Sequence, residues 1–514
     1  MSAVAEEPDR VGPSLAPLAG GRAGPDALGP LLTVALDALR AGAARRGGPL
    51  PAGGPVAVAA GLAGLLDPDA LLPERGDPDA LRQLTEALAA TAADPADPDC
   101  AAHLHVPPLA VAVAADLAAS ALNPSLDSWD QAPGGTSVER AVIHTLAALV
   151  GHPRPEAADG VFTTGGTASN LTALLLARDA LPRARHPADR LTVHCSAAAH
   201  FSVARAAGVL GLAPDAVVPI DTDTGGRMDP RVLDWSLADA RADGRTPMCV
   251  VATAGTTDLG AIDPLRAVAA VTSRHGVRLH VDAAYGGGAL FSRRLAPLLD
   301  GLGGADSIGL DLHKLGWQPI AAGVLLVRDS SLLAPLGQRA VYLNPVDDEE
   351  AGYTSLLGHS LRTTRRLDAF KVAVTLRSLG REGLGALVDR CHDLTRYAAA
   401  RIAAEPRLEL VAEPVLTTVL FRYLPQRSRQ AGPDEQAGPE KQAGPEKQAD
   451  RINAGLRRRL LAGGRAVVGR TELADGGVRL KLTLLNPHTT EADLDRLLGL
   501  VLAAGAEEEQ ETHQ

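Results

Sequence analysis

The stretch ADSIGLDLHKLGW (305–317) begins as an apolar run and ends on a His-Lys pair. Its first half is too uniformly apolar to face water on one side, which is the pattern of a strand covered on both faces. The same texture recurs in LTVHCS (191–196), AVVPID (216–221), MCVVATAG (248–255), RLHVDAAY (278–285) and AGVLLVRD (322–329), with helical periodicity between the runs. Strands alternating with helices predict an α/β domain built on a mainly parallel sheet. In such a sheet the carboxyl ends of the strands form the edge where ligands bind. Lys314 falls just past one of those ends, so it is either a solvated loop charge or an amine held at a site.

At 514 residues the chain exceeds one ordinary core, so a large domain with smaller companions is expected. Aromatic residues make up only 3%, which leaves Leu, Val and Ala to fill the interior. A net charge of -11 and the lack of a basic stripe argue against a nucleic-acid surface. Cys100, Cys195, Cys249 and Cys391 are scattered without metal-ligand spacing, so no metal site is expected and free thiols in a reducing compartment are. The acidic, Pro/Gly-rich start lacks the basic segment and apolar run of a secretory signal. No uninterrupted apolar run of membrane-spanning length stands out, and a cytoplasmic protein is expected.

Residues 1 to about 60 are rich in Gly, Pro and Ala and are expected to be poorly ordered, with helical patterns such as DALRQLTEALAATAAD (79–94) after them. The expected layout is an N-terminal segment 1–109, a large domain 110–370, a small domain 371–505 and a tail 506–514. Within the small domain, QAGPDEQAGPEKQAGPEKQAD (430–450) repeats Gln-Ala-Gly-Pro, and nothing apolar anchors it. A flexible surface insertion at 426–450 is expected. Strand-like VRLKLTLLNP (478–487) and a helix over EADLDRLLGLVLAAG (491–505) close the domain.

Four segments hold residues suited to chemistry. VFTTGGTASNLTALLLARDAL (161–181) reads as a strand end, a Gly-Gly turn and a helix whose start presents unpaired N–H groups, which suits either a phosphate or a simple cap. No lysine follows the glycines as in a nucleotide P-loop. HVDAAYGG (280–287) puts Asp282 at the end of an apolar strand, where a carboxylate needs a cation: a structural ion pair or a protonated ligand nitrogen. Lys314 lies one strand-helix-strand unit later, at the same expected edge. SAAAHFSVARAAGVLGL (196–212) opens a helix with His200, a structural ring or one that stacks on a flat ligand. VATAGTTDLGAIDPL (251–265) brings Thr253 to that edge.

In this order, GGTASN (165–170), AAAHFS (197–202), ATAGTT (252–257), HVDAAYGG and ADSIGLDLHK (305–314) resemble the group II pyridoxal-phosphate-dependent amino acid decarboxylases. HLHVPPL (103–109), LNPSLDSWDQAPGGTSVE (122–139), YLNP (342–345), SLRTTRRLDAFKVAVTLRSLG (360–380) and KLTLLNPHTT (481–490) extend the likeness over roughly residues 100–425 and 451–500. The last three are similar to the branch that holds the L-2,4-diaminobutyrate decarboxylases and the siderophore-pathway lysine decarboxylases.

The resemblance implies the aspartate-aminotransferase-like fold (fold type I): a mainly parallel seven-stranded sheet flanked by helices, with a smaller C-terminal α+β domain. It implies pyridoxal 5'-phosphate as cofactor and a homodimer with active sites at its interface. By motif, Lys314 forms the Schiff base with the cofactor, Asp282 pairs with the pyridine nitrogen and His200 stacks on the ring. Gly166 and Thr167 cradle the phosphate, Thr253 and His313 stand beside the cofactor, and Tyr342 is the loop tyrosine that returns a proton to Cα. His105, Trp129 and Arg365 are assigned to the substrate side. Asp311 stands where relatives often carry asparagine; a carboxylate donates no hydrogen bond unless protonated, so it is left out of the phosphate set.

The implied reaction is decarboxylation of a basic diamino acid (2,4-diaminobutyrate, lysine or ornithine). Ala321 and Ala322 replace small polar residues of that branch, which keeps aromatic and acidic amino acids open as substrates. An aminotransferase and a non-catalytic relative are the readings from other classes.

Overall fold

The protein is described by a computed structural model over residues 16–182, 184–337, 340–426, 445–473 and 476–512. Residues 1–15 of the segment expected to be poorly ordered lie outside the described residues, but the rest of that expectation is overturned. Helices α1 (Gly24–Arg46), α2 (Gly54–Ala63), α3 (Pro68–Leu71) and α4 (Ala80–Thr91) occupy most of residues 24–91. The Gly, Pro and Ala count misled because its parts act differently. Pro25 sits in the first turn of α1, Gly47 closes the helix at a φ of 69°, and Ala and Leu between them are strong helix formers. Where α1 crosses α4, Gly42 comes so close that an added Cβ would lie 2.4 Å from the Glu86 carbonyl oxygen. By length and composition alone α1 is also apolar enough to span a membrane. Asp26, Asp37 and Arg40 interrupt its apolar residues, which is why no unbroken run marks it in the sequence.

The chain then passes through β1 (Cys100–Ala101), α5 (Ala110–Leu122) and α6 (Pro133–Leu149) into the large sheet. Its elements are β2 (Asp159–Thr163), α7 (Gly166–Asp179), β3 (Leu191–Ser196), α8 (Ser202–Val209), β4 (Val217–Ile220), α9 (Pro230–Ala242), β5 (Thr246–Thr253), α10 (Leu265–His275), β6 (Arg278–Ala283), β7 (Ser307–Asp311) and β8 (Gly323–Val327). Every apolar run singled out in the sequence is a strand here. The order is β2-β8-β7-β6-β5-β3-β4, with β8 antiparallel to both neighbours and the other pairings parallel. Val250, Val251, Val281, Ile308, Val324 and Leu325 are fully enclosed, as strands covered on both faces require.

Beyond the short α11 (Val346–Glu350), the long α12 (Ala369–Ala404) bends at Gly380, whose φ is 64°. Its residues through Cys391 belong to the large core, whereas Leu394, Ala398 and Ile402 belong to a second one. The change of domain therefore falls inside this helix, some twenty residues past the expected boundary at 370–371. The second core underlies β9 (Leu408–Leu410), β10 (Thr418–Tyr423), α13 (Pro445–Ala462), β11 (Val467–Glu472), β12 (Val478–Thr483) and α14 (Glu491–Thr512). Its sheet has the order β1-β11-β12-β10-β9, so the N-terminal segment supplies an edge strand, Cys100 pairing with Val467. Residues 427–444, most of the Gln-Ala-Gly-Pro repeat, lie outside the described residues, and Pro445 opens α13. The expected tail at 506–514 instead continues α14 to Thr512.

Candidate active site

Register brings the chemistry together. Thr253 pairs with Asp282 and Asp282 with Gly309, so both side chains stand at the carboxyl edge, two residues before Asp311 ends β7. Lys314 comes in the turn after β7. A run of glycines lets that turn close: a Cβ on Gly288 would lie 2.0 Å from the Leu315 carbonyl oxygen. The result is a cavity of about 380 Å³ at this edge. Gly166, Thr167, His200, Thr253, Asp282, His313 and Lys314, seven of the residues singled out in the sequence, line it together.

At one end of the cavity α7 begins with no side-chain cap, so its first N–H groups are free to meet an anion. Gly165 there has a φ of 140°, open to glycine, and a Cβ on Gly166 would be 2.9 Å from that of Ala284. The Thr253 hydroxyl is buried without a partner. Asp282, 7% exposed, accepts from the Ala284 N–H at 3.1 Å and from Asn170 Nδ2 at 2.8 Å. His200 Nδ1 lies 2.7 Å from the Ser202 hydroxyl, and burial holds the imidazole below its ordinary range, hence neutral near pH 7. His313, also lowered by burial, accepts from the Ala322 N–H at 3.3 Å.

Lys314 Nζ is 2.9 Å from Asp311 Oδ2, while Asp311 Oδ1 is buried without a partner. The carboxylate set aside in the sequence is thus the lysine's own counter-ion. Tyr285 was also missed: its hydroxyl lies 2.9 Å from the Thr417 and Thr418 hydroxyls and stitches the cavity wall to the second core. No local signal marks a tyrosine whose partners are more than a hundred positions away.

Four expected site residues are not brought to this cavity within the chain. His105 is exposed beside Leu104, which does line it. Trp129 is half-buried, edge-on to Tyr353 with ring centroids 4.9 Å apart. Tyr342 is 83% exposed. Arg365, expected on the substrate side, is instead sealed inside the protein against Glu139, with N–O distances of 2.8 and 3.0 Å. A charge following Thr-Thr gives no hint of a carboxylate so far back in the chain.

An uncapped helix start, a strand-end carboxylate and a lysine suit a ligand with an anion at one end, a basic ring nitrogen and a carbonyl that an amine captures. Pyridoxal 5'-phosphate carries all three, and the orphaned Thr253 hydroxyl and uncapped α7 are the unmet groups such a ligand would satisfy. The fold and the cavity thus define a pyridoxal-phosphate enzyme. The chain belongs to the pyridoxal-dependent decarboxylase family, whose conserved domain matches residues 66–424. It is 44% identical over 88% of its length to the L-2,4-diaminobutyrate decarboxylase of Rhizobium meliloti, covering 87% of that protein. It is 38% identical to the L-2,4-diaminobutyrate decarboxylase of Acinetobacter baumannii, over 79% of each chain. A solved structure, the glutamate decarboxylase domain of a diaminobutyrate-pyruvate transaminase and L-2,4-diaminobutyrate decarboxylase from Vibrio parahaemolyticus, superposes with a TM-score of 0.80 at 34% identity. That match covers 96% of this chain and 98% of the other. The protein is a pyridoxal-phosphate-dependent carboxy-lyase.

Proposed function

We propose that the protein decarboxylates a basic diamino acid, 2,4-diaminobutyrate first among them, to the amine and CO2. The observation that carries this reading is the cavity shared by Lys314, Asp282, His200, Thr253 and Gly166 in a chain so similar to two L-2,4-diaminobutyrate decarboxylases. In this reading the start of α7, with Gly166 and Thr167, receives the phosphate. Asp282 holds a proton on the ring nitrogen, and His200 lies against the ring. Lys314 contributes the amine that carries the cofactor, and Thr253 and His313 hold it laterally. The bound cofactor supplies the electron sink for the pair left when CO2 departs. A CO2-release screen across the protein amino acids, ornithine and 2,4-diaminobutyrate tests the substrate. The expected result is a kcat/KM for 2,4-diaminobutyrate at least about tenfold above any other, a gap of about 1.4 kcal/mol. Faster release from glutamate or an aromatic amino acid would replace this substrate reading.

We further infer a cytoplasmic homodimer in which Tyr342 serves the partner's cavity and returns the proton to Cα. Its exposure within one chain supports this, as does the bare apolar surface of the N-terminal helices, with Leu36 at 52% and Val56 at 82% exposed. A second copy covering that surface would account for the apolar length of α1 without a membrane. The four free cysteines suit a reducing compartment. Mixing Lys314→Ala with Tyr342→Phe tests the arrangement, because in a hybrid dimer one cavity has both groups intact. Recovery of amine formation approaching about a quarter of the wild-type rate is expected from two variants each nearly unable to form it. No recovery from demonstrably mixed dimers places Tyr342 outside the partner's chemistry.

A further inference from the structure

Behind the cavity wall runs a line of buried side chains that the proposed reaction does not use. The Ser307 hydroxyl is 2.9 Å from His280 Nδ1, and His280 Nε2 is 2.9 Å from Asn170 Oδ1. Asn170 Nδ2 is 2.8 Å from Asp282 Oδ2 and 2.9 Å from the Ser202 hydroxyl, which in turn is 2.7 Å from His200 Nδ1. Asn170 and His280 are each 1% exposed and Ser202 is 0% exposed, so these groups are sealed from bulk solvent.

The chemistry of the groups allows one direction of donation. The backbone N–H of Ser202 also points at His200 Nδ1, at 3.3 Å, so that nitrogen carries a lone pair. The Ser202 hydroxyl therefore donates to it and must accept from Asn170. A carboxylate accepts only, so the second Asn170 N–H goes to Asp282. Turning the amide over would set its oxygen against that carboxylate. Asn170 Oδ1 must then accept from His280 Nε2–H, and His280 Nδ1 from the Ser307 hydroxyl. Burial keeps His280 neutral, its pKa pushed down to about 4, which leaves it the one proton this scheme needs. Each polar side-chain atom of Ser307, His280, Asn170 and Ser202 thus has a partner, the condition under which a buried polar network rigidifies its members.

We propose that Asn170 is a positioning residue for the reaction: with one amide it fixes the Asp282 carboxylate and, through Ser202, fixes His200 with its proton on Nε2. This deepens the proposed roles of Asp282 and His200 and rests on them. The partner of the ring nitrogen and the partner of the ring face are then set by one side chain rather than separately. Ser307 and His280 serve to hold that amide the right way round.

The test uses full-length holoenzyme reconstituted with pyridoxal 5'-phosphate labelled with 15N in the ring. In Asn170→Leu, close in shape but without hydrogen bonds, Asp282 loses a donor and the ring proton is drawn toward it. The ring-nitrogen resonance is expected to move toward its unprotonated position and cofactor release to quicken at least about tenfold, the scale on which outer-layer partners act on the groups they orient. Asn170→Ser, which keeps one donor in place of two, should shift both readouts part of the way. Ser202→Ala should leave the ring nitrogen unchanged and move only the His200 Nδ1 resonance. An Asn170 variant that folds, binds cofactor and keeps the wild-type resonance and release rate overturns the proposal. If the wild-type holoenzyme itself has an unprotonated ring nitrogen, the reading of Asp282 fails instead, and the two failures are distinct.

Discussion

Lys314→Ala is expected to lower CO2 release roughly 10³-fold, about 4 kcal/mol of barrier, because the amine that carries the cofactor is lost. Two effects must be kept apart in that experiment. Lys314 Nζ lies 2.9 Å from Asp311 Oδ2, and Asp311 is only 5% exposed with its other oxygen unpartnered. Removing the amine leaves a buried carboxylate without its cation, so Lys314→Ala should also unfold at a lower temperature. Adding Asp311→Asn removes that charge and should restore the thermal midpoint while leaving turnover as low as in Lys314→Ala. Loss of activity that returns with stability would mean the lysine is structural. Borohydride reduction gives the complementary reading: the wild-type protein should retain its cofactor covalently on the peptide containing residue 314, and the variant should retain none.

The parts of this site that were legible in the sequence are those whose placement comes from local pattern. Asp282 and Lys314 each end or follow an apolar run, and a parallel sheet brings the ends of neighbouring runs to one edge, so their meeting could be argued without coordinates. Gly165 and Gly166 were legible for the same kind of reason, since a strand, two glycines and a helix make one local turn. Contacts that join distant segments were not legible. Asn170 and Ser202 were both inside quoted motifs, yet only the fold shows that one amide reaches Asp282 and His280 at once. Composition misled at the N-terminus, where Pro25, Gly47 and Gly53 mark the ends of helices and Pro30 and Gly42 lie within one. It misled again in the repeat, where Pro445 of the last unit starts α13. The edge strand Cys100–Ala101 is too short for any periodicity to reveal, and its partner is near the other end of the chain.

Arg365 is the most instructive of the misplaced residues, and its pair with Glu139 carries the second large prediction. Both side chains are 1% exposed, joined by two contacts of 2.8 and 3.0 Å. Burial pushes the Glu139 carboxyl up, and Arg365 draws it back toward the ionised form. The backbone is tied down at the same residue, where the Arg365 carbonyl accepts from the Leu126 N–H at 3.1 Å shortly before α12. Glu139→Ala strands a guanidinium whose Nη2 already lacks a partner. Breaking a buried pair in this way costs about 3–5 kcal/mol, and a urea midpoint well below wild type is expected. Glu139→Leu with Arg365→Met removes both charges and fills the space with apolar atoms, so it should recover most of that loss. A structural pair predicts that the double variant also recovers decarboxylation, because neither residue lines the cavity. If stability returns and turnover does not, Arg365 belongs to the substrate side after all.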